Sequence, residues 1–235
     1  MSKPSPILLS AAFAAAVIAL GGGPSAAQMR DRTMRLVSEF PLRNDDGQPL
    51  PNHRVKLAGP IDKVPGVVVA ANPAGTTTLV EFYDLNCPYC RIASADIADM
   101  VGVDPQLRLV LVPFPVLGIA SIAASRVELA VAKLGTPRQF YEFHEKIYSR
   151  RGVTDGLRAL DVARSLGFDV RALTKLGDSD EITAIMKAHL ALGNSLGLAA
   201  TPSFVIDGVA VLGYPGRDEL QQIVDAARSC GKVVC

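Results

Sequence analysis

The sequence predicts an α/β fold: a β-α-β unit, a helical insertion, then a C-terminal β-hairpin and a final helix. Three observations predict it. The β-branched run "TTTLVEFY" gives way to helical spacing after Cys87-Pro88 and returns to a strand at "LRLVLVPFP". From Ile119 to Leu196 nearly every segment carries helical periodicity. Near the end, "SFVID" and "VAVLG" flank Asp207-Gly208, a dipeptide suited to the positive φ angles of a type I′ turn.

The elements follow in chain order. Residues 1–27 hold one charge, Lys3, an apolar stretch from Ile7 to Leu20, and the small residues Ser25-Ala26-Ala27. That is the pattern of a secretory signal cut after Ala27, because the apolar stretch falls short of the roughly 20 residues a spanning helix needs. The expectation is an exported, periplasmic protein with no stable membrane span after cleavage. Residues 28–65 are polar and turn-rich and read as an N-terminal arm. "GVVVAANPAG" supplies a strand at about 67–70 and a turn, and Thr77 to Tyr83 supplies the next strand. The helix after Cys87 places Ile92, Ile97 and Met100 on one side, and the strand from Leu107 completes a unit in which parallel strands are the default.

The helical block, residues 119–196, divides into four pieces. Gly135 closes the first, and Thr136-Pro137-Arg138-Gln139 opens the second as a capping box with proline at the first helical position. Phe140, Phe143, His144 and Ile147 mark its buried face. The third turns Leu157, Leu160, Ala163 and Leu166 inward. The fourth starts at Asp178-Ser179-Asp180-Glu181, another capping box, and buries Ile182, Ile185, Met186, His189 and Leu190. After the hairpin, residues 217–229 form a last helix with Leu220, Ile223, Val224 and Ala227 as its stripe, leaving 230–235 as a tail.

Charge and cysteine content narrow the function. With 24 Lys and Arg against 23 Asp and Glu, no electrostatic excess favours nucleic acid or an anionic membrane. Four cysteines are too few to replace a hydrophobic core, but in an oxidising compartment each close pair is oxidised or cycles. Cys87 and Cys90 occupy the first turn of a helix, where i and i+3 side chains share a face. Unpaired N–H groups and the helix dipole there stabilise a Cys87 thiolate, and Pro88 suits a position whose N–H would have no partner. Cys90, one turn deeper, reads as the resolving thiol. Glu81, in an apolar strand, is expected to be buried, neutral and able to trade a proton with Cys90. Thr201-Pro202 stands directly before a strand; a cis peptide there would leave an open edge for a substrate strand.

Together, the acid six residues before the first cysteine, the "CPYC" helix start, the helical block and Thr201-Pro202 before a hairpin resemble the thioredoxin superfamily, specifically DsbA-like exported thiol oxidoreductases. The resemblance covers about residues 66–229 and implies a thioredoxin-like fold with a helical insertion. It implies catalysis by Cys87, Cys90 and Glu81, a redox-active Cys87–Cys90 disulfide, and a substrate surface at Pro88, Tyr89, Thr201 and Pro202. The clients implied are cysteine-bearing exported proteins, unfolded or partly folded, with a separate redox partner for regeneration. Two features depart from the best-known members. Pro-Tyr between the cysteines lacks the potentially cationic imidazole of Pro-His, which makes the disulfide less oxidising. Thr201 before the proline resembles the exported isomerase branch.

Disulfide formation in exported proteins is the expected reaction; isomerisation or reduction by the same residues is the alternative, and a peptide-binding or chaperone module without turnover is the rival of another class. A zinc site joining the pair to Cys230 and Cys235 is disfavoured by their C-x4-C spacing and by the compartment, so no metal and no other cofactor is expected. Cys230 and Cys235 are expected to close their own structural disulfide. His144 and His189 read as packing positions on apolar faces, and His53 carries no signal.

Overall fold

The computed structural model describes residues 38–235. The signal-like segment 1–27 and the first part of the arm lie outside them. The described chain forms six strands, β1 (Asn52–Arg54), β2 (Val68–Ala71), β3 (Thr77–Tyr83), β4 (Leu107–Pro113), β5 (Ser203–Ile206) and β6 (Val209–Leu212). Its α-helices are α1 (Pro88–Val103), α2 (Ile119–Leu134), α3 (Pro137–Tyr148), α4 (Gly156–Ser165), α5 (Val170–Gly177), α6 (Asp180–Ser195) and α7 (Arg217–Cys230).

The strands make one sheet in the order β1-β6-β5-β3-β4-β2. β3 and β4 run parallel at its centre, joined through α1, and β5 pairs antiparallel with β3. Both faces of the central strands are covered, which is why they read as continuous apolar runs rather than alternating ones. Along β3, Leu79 and Tyr83 enter a core shared with Cys87, Cys90 and Ile97, whereas Val80 and Phe82 enter a second core with Val110, Val112, Phe114 and Leu198. Glu81 shares the parity of Leu79 and Tyr83, so the pleat turns it toward the α1 face. The insertion, α2 to α6, folds around α2, which packs on α3, α4, α5 and α6. No helix among the described residues is long and apolar enough to cross a membrane.

The α/β architecture with its insertion is the one expected, with local differences. The fourth helical piece is capped by Ser179, whose hydroxyl accepts from the Ile182 N–H; this makes Ile182 the third helical residue and leaves Glu181 one position short of completing a box. At Thr136 and Gln139 both halves of the box form. A short helix, α5, separates the third and fourth pieces, started by the Asp169 carboxylate. Leu157, in the first turn of α4, is 75% exposed, and Ile92 is 50% exposed beside the cysteine pair. The hairpin turn has the expected positive φ at Asp207 (47°) and Gly208 (72°).

The arm is more ordered than its composition suggests. β1 pairs antiparallel with β6, and Leu42, Leu50 and Ile61 are buried. Helix α7 has no cap of its own at Gly216, so the arm supplies one: the Asp45 carboxylate accepts from the N–H groups of Asp218 (3.1 Å) and Glu219 (2.8 Å). Gly216 has φ 96°, and a Cβ there would stand 2.1 Å from Asp45 Oδ2. Asp45→Ala should therefore cost about 1 kcal/mol, read as a lower urea midpoint with an unchanged slope. A slope change instead would mean that the arm detaches as a unit.

Candidate active site

The site is built where β3 hands over to α1. Tyr83 ends the strand, Asp84-Leu85-Asn86 turn the chain, and Cys87 takes the N-cap position with extended φ −76° and ψ 122°. Pro88 fills the first helical position without leaving a donor unsatisfied. Antiparallel pairing of Phe82 with Ser203 carries the preceding Thr201-Pro202 to the same end of the sheet. The Thr201–Pro202 peptide is cis, and the Thr201 carbonyl accepts from the Cys87 thiol at 3.1 Å. Pro202 is buried, whereas Pro88 and Tyr89 face solvent, Tyr89 at 60% exposure. Thus Cys87, Cys90, Pro88, Tyr89, Thr201 and Pro202 come together, with Glu81 below them.

The two sulfurs are free thiols in very different surroundings. Cys87 is 4% exposed and Cys90 wholly buried. The Cys87 pKa falls from the ordinary 9.0 to about 6, chiefly because the Cys90 thiol donates to its sulfur. Burial opposes the fall, while the Thr201 hydroxyl and the N–H groups of Cys90 and Tyr89 add to it. The contact with the Thr201 carbonyl serves only the protonated form. Burial pushes Cys90 far upward, followed by Cys87 and the Glu81 charge. Glu81 rises from 4.5 to about 8, through burial first, then Cys87 and Glu128, and neither of its oxygens has a hydrogen-bond partner. One sulfur is thus mostly ionised at neutral pH, and its neighbour and the acid beneath are neutral.

Several groups here have no counterpart in the sequence reading. Asp84 is fully buried and accepts from the Asn86 N–H (2.8 Å), the Ser121 hydroxyl (2.7 Å) and the N–H groups of Val116 (2.8 Å) and Leu117 (2.9 Å). Asn86 continues the network, donating to the Thr154 carbonyl (2.9 Å) and accepting from the Thr154 N–H (2.7 Å). Arg91 donates to the carbonyls of Tyr148 and Arg150, pinning the first turn of α1 to the end of α3. Asp and Asn in a strand-to-helix turn signal a turn, but apart from the Asn86 N–H their partners lie about 30 to 70 residues away, beyond local pattern.

The remaining groups fall elsewhere. His144 borders a buried carboxyl, Glu128, at 3.6 Å. His189 sits between the carbonyls of Pro113 (3.0 Å) and Pro65 (2.8 Å), and His53 Nε2 lies 2.8 Å from the Leu196 carbonyl. Cys230, the last residue of α7, is bonded to Cys235 in the tail, where Val233 is buried. Arg228, one half-turn earlier, meets Asp104 at the C-terminal end of α1, so this disulfide stands at the opposite end of that helix from Cys87.

The chain is similar to several known proteins. A solved thioredoxin-like oxidoreductase from Silicibacter pomeroyi DSS-3 superposes with TM-score 0.67 at 36% identity, covering 73% of this chain and 99% of that one. Disulfide bond formation protein D of Bacillus subtilis (strain 168) is 23% identical over 173 residues, 69% of this chain and 77% of that protein. Na(+)/H(+) antiporter NhaA of Herminiimonas arsenicoxydans is 27% identical over 152 residues, where the match takes in 64% of this chain but spans only 24% of that relative's length. The DSBA-like thioredoxin domain matches residues 78–227, a span that holds Glu81, both thiols and the cis-proline loop. The chain therefore belongs to the DSBA-like thioredoxin domain family, thiol-disulfide oxidoreductases of the thioredoxin superfamily.

Proposed function

We propose that this protein forms disulfides in exported proteins through Cys87 and Cys90. The observation that carries the reading is the asymmetry of the pair: a Cys87 thiol lowered to about 6 beside a buried Cys90 held well above the usual range. Stabilising the Cys87 thiolate stabilises the reduced enzyme, which makes the disulfide a stronger oxidant and Cys87 a good leaving group when the mixed disulfide resolves; access selects Cys87 for attack, because Cys90 is wholly buried.

In the oxidising direction a client thiolate attacks Cys87 Sγ. A client–Cys87 bond forms, the Cys87–Cys90 bond breaks, and its electron pair leaves on Cys90. Glu81 gives its proton to that thiolate and becomes a carboxylate. A second client thiolate then attacks the client sulfur of the mixed disulfide, releasing oxidised client and the Cys87 thiolate. A separate redox partner must remove the two electrons. Polypeptide clients fit the surroundings, because Tyr89, Val116, Leu117 and Ile119 are exposed apolar side chains on the segments bordering the sulfurs. The Thr201 carbonyl, which accepts from the Cys87 thiol, is freed once that sulfur is bonded to a client and can then pair with a client strand. A periplasmic location rests on the signal-like pattern of residues 1–27.

Equilibrating the protein against a glutathione series, with the dithiol and disulfide forms trapped by alkylation, tests the direction. A potential at the oxidising end, with turnover of a reduced model client, is expected. A strongly reducing potential would reassign the protein to reduction or isomerisation; client binding without turnover would make it a chaperone.

A further inference from the structure

Glu128 is unusual for its place. It lies in the middle of α2, inside the helical insertion, and is 0% exposed. A carboxyl there is costly unless something holds it. The Tyr83 hydroxyl donates to Glu128 Oε1 at 2.7 Å, and His144 Nδ1 stands 3.6 Å from the same oxygen, too far for a hydrogen bond but close enough for charge to act. The other oxygen, Oε2, has no partner. Were Glu128 needed only to accept from Tyr83, an amide or hydroxyl would serve at less cost.

Glu128 shares its compartment with Glu81, two residues before Tyr83 on β3. Two carboxyls in one dry space do not both ionise near neutral pH, so the question is which keeps the proton. The hydrogen bonds decide it. Glu128 has a donor that favours its ionised form, and Glu81 has none. Burial raises the pKa of Glu128 too, but His144 and the Tyr83 hydroxyl pull against that rise, whereas nothing pulls against the rise at Glu81. From α3, His144 faces Glu128 and favours its charge, while Tyr141 and Tyr148 feel the charge of Glu81. Glu145, next to His144 in the chain, is exposed. From the turn, Asp84 opposes ionisation of Glu128 but does not reach it by hydrogen bond. From α1, the negative charge of Cys87 also keeps Glu81 neutral in the dithiol form; in the disulfide form that charge is gone and Glu128 is the neighbouring charge that remains.

We propose that Glu128 is a positioning residue for the reactive proton: Glu81 and Glu128 form one buried acid pair, in which Tyr83 and His144 hold Glu128 as the charged member and leave the proton on Glu81 until the departing Cys90 thiolate takes it. Glu128 touches neither sulfur and acts through Glu81. The inference rests on the reading of Glu81 as proton donor to Cys90. It also gives the helical insertion a role in the chemistry, because α2 and α3 supply the acid and the histidine that set the state of a residue on the sheet.

The test is the rate at which the disulfide form reacts with a reduced dithiol peptide, measured against pH and divided by the peptide's thiolate fraction. Loss of the Glu81 proton should appear as a fall in rate at alkaline pH. Glu128→Gln keeps an acceptor for Tyr83 but removes the neighbouring charge, so Glu81 ionises more readily and the fall should move about one unit toward lower pH. Tyr83→Phe removes the donor, lets Glu128 take up the proton, and should move the fall the same way; this smaller change covers the case in which Glu128→Gln does not fold. Glu81→Gln should abolish the fall. If Glu81→Gln abolishes it but the other two leave it in place, Glu128 is structural and the inference is overturned. If the fall survives Glu81→Gln, the reading of Glu81 beneath it is wrong.

Discussion

Cys87→Ser abolishes disulfide exchange, by a factor on the order of 10³ or more, and leaves the fold in place. Serine is nearly isosteric and can still donate to the Thr201 carbonyl, so the loss isolates the sulfur. The same residue gives the sharpest pH signature of the site. Alkylation of reduced Cys87 follows its thiolate, so its rate should rise with pH and level off above a midpoint of about 6, where an ordinary thiol would have 9.0. The sign for stability follows from linkage. A group whose folded pKa is depressed favours the folded reduced form, with the full contribution above the unfolded value near 9 and its loss as pH falls through about 6. The reduced protein should lose stability relative to the disulfide form on acidification across that window. Because the Cys90 thiol is the leading cause of the low value, Cys90→Ala should move the alkylation midpoint back toward 9.0. A wild-type midpoint near 9.0 would remove the basis for an oxidant.

The parts of this protein that sequence exposes are those fixed by neighbours in the chain. The β3 boundaries, the helix start at Cys87, the capping box at Thr136 and Gln139 and the Asp207-Gly208 turn all depend on residues within a few positions of one another. The parts it hides depend on distant partners. β1 has only Asn52, His53 and Arg54, too short and polar for a strand pattern, and exists because β6 offers an edge 157 residues on (roughly). Leu157 fits a helical stripe, yet it is exposed while Ala159, just after it, is buried, so the stripe overstates what is buried. Glu128 looks like any polar residue of an amphipathic helix until α2 is packed against α3 and β3. The same holds for Asp84, whose four donors come from its own turn, the segment after β4 and α2.

Asp84→Ala is expected to be the most destabilising change near the site, by about 3 kcal/mol, because it leaves three part-buried N–H groups and the buried Ser121 hydroxyl without their acceptor in one step. Asp84→Asn keeps one oxygen but turns an NH₂ toward N–H donors, so it should recover only part of the loss; urea unfolding of the three proteins measures both. The carboxylate joins the α1 start to the segment carrying Val116 and Leu117 and to the first turn of α2, which makes it the seam between sheet and insertion. Its side chain is not among the groups that lower Cys87: that work falls to the Cys90 thiol, the Thr201 hydroxyl and two backbone N–H groups. The alkylation midpoint of the protein that remains folded should therefore stay near 6 while client KM rises, since Val116 and Leu117 lose their anchor. If the midpoint moved with the stability, the electrostatics of the sulfur and the attachment of the insertion would be one device, not two.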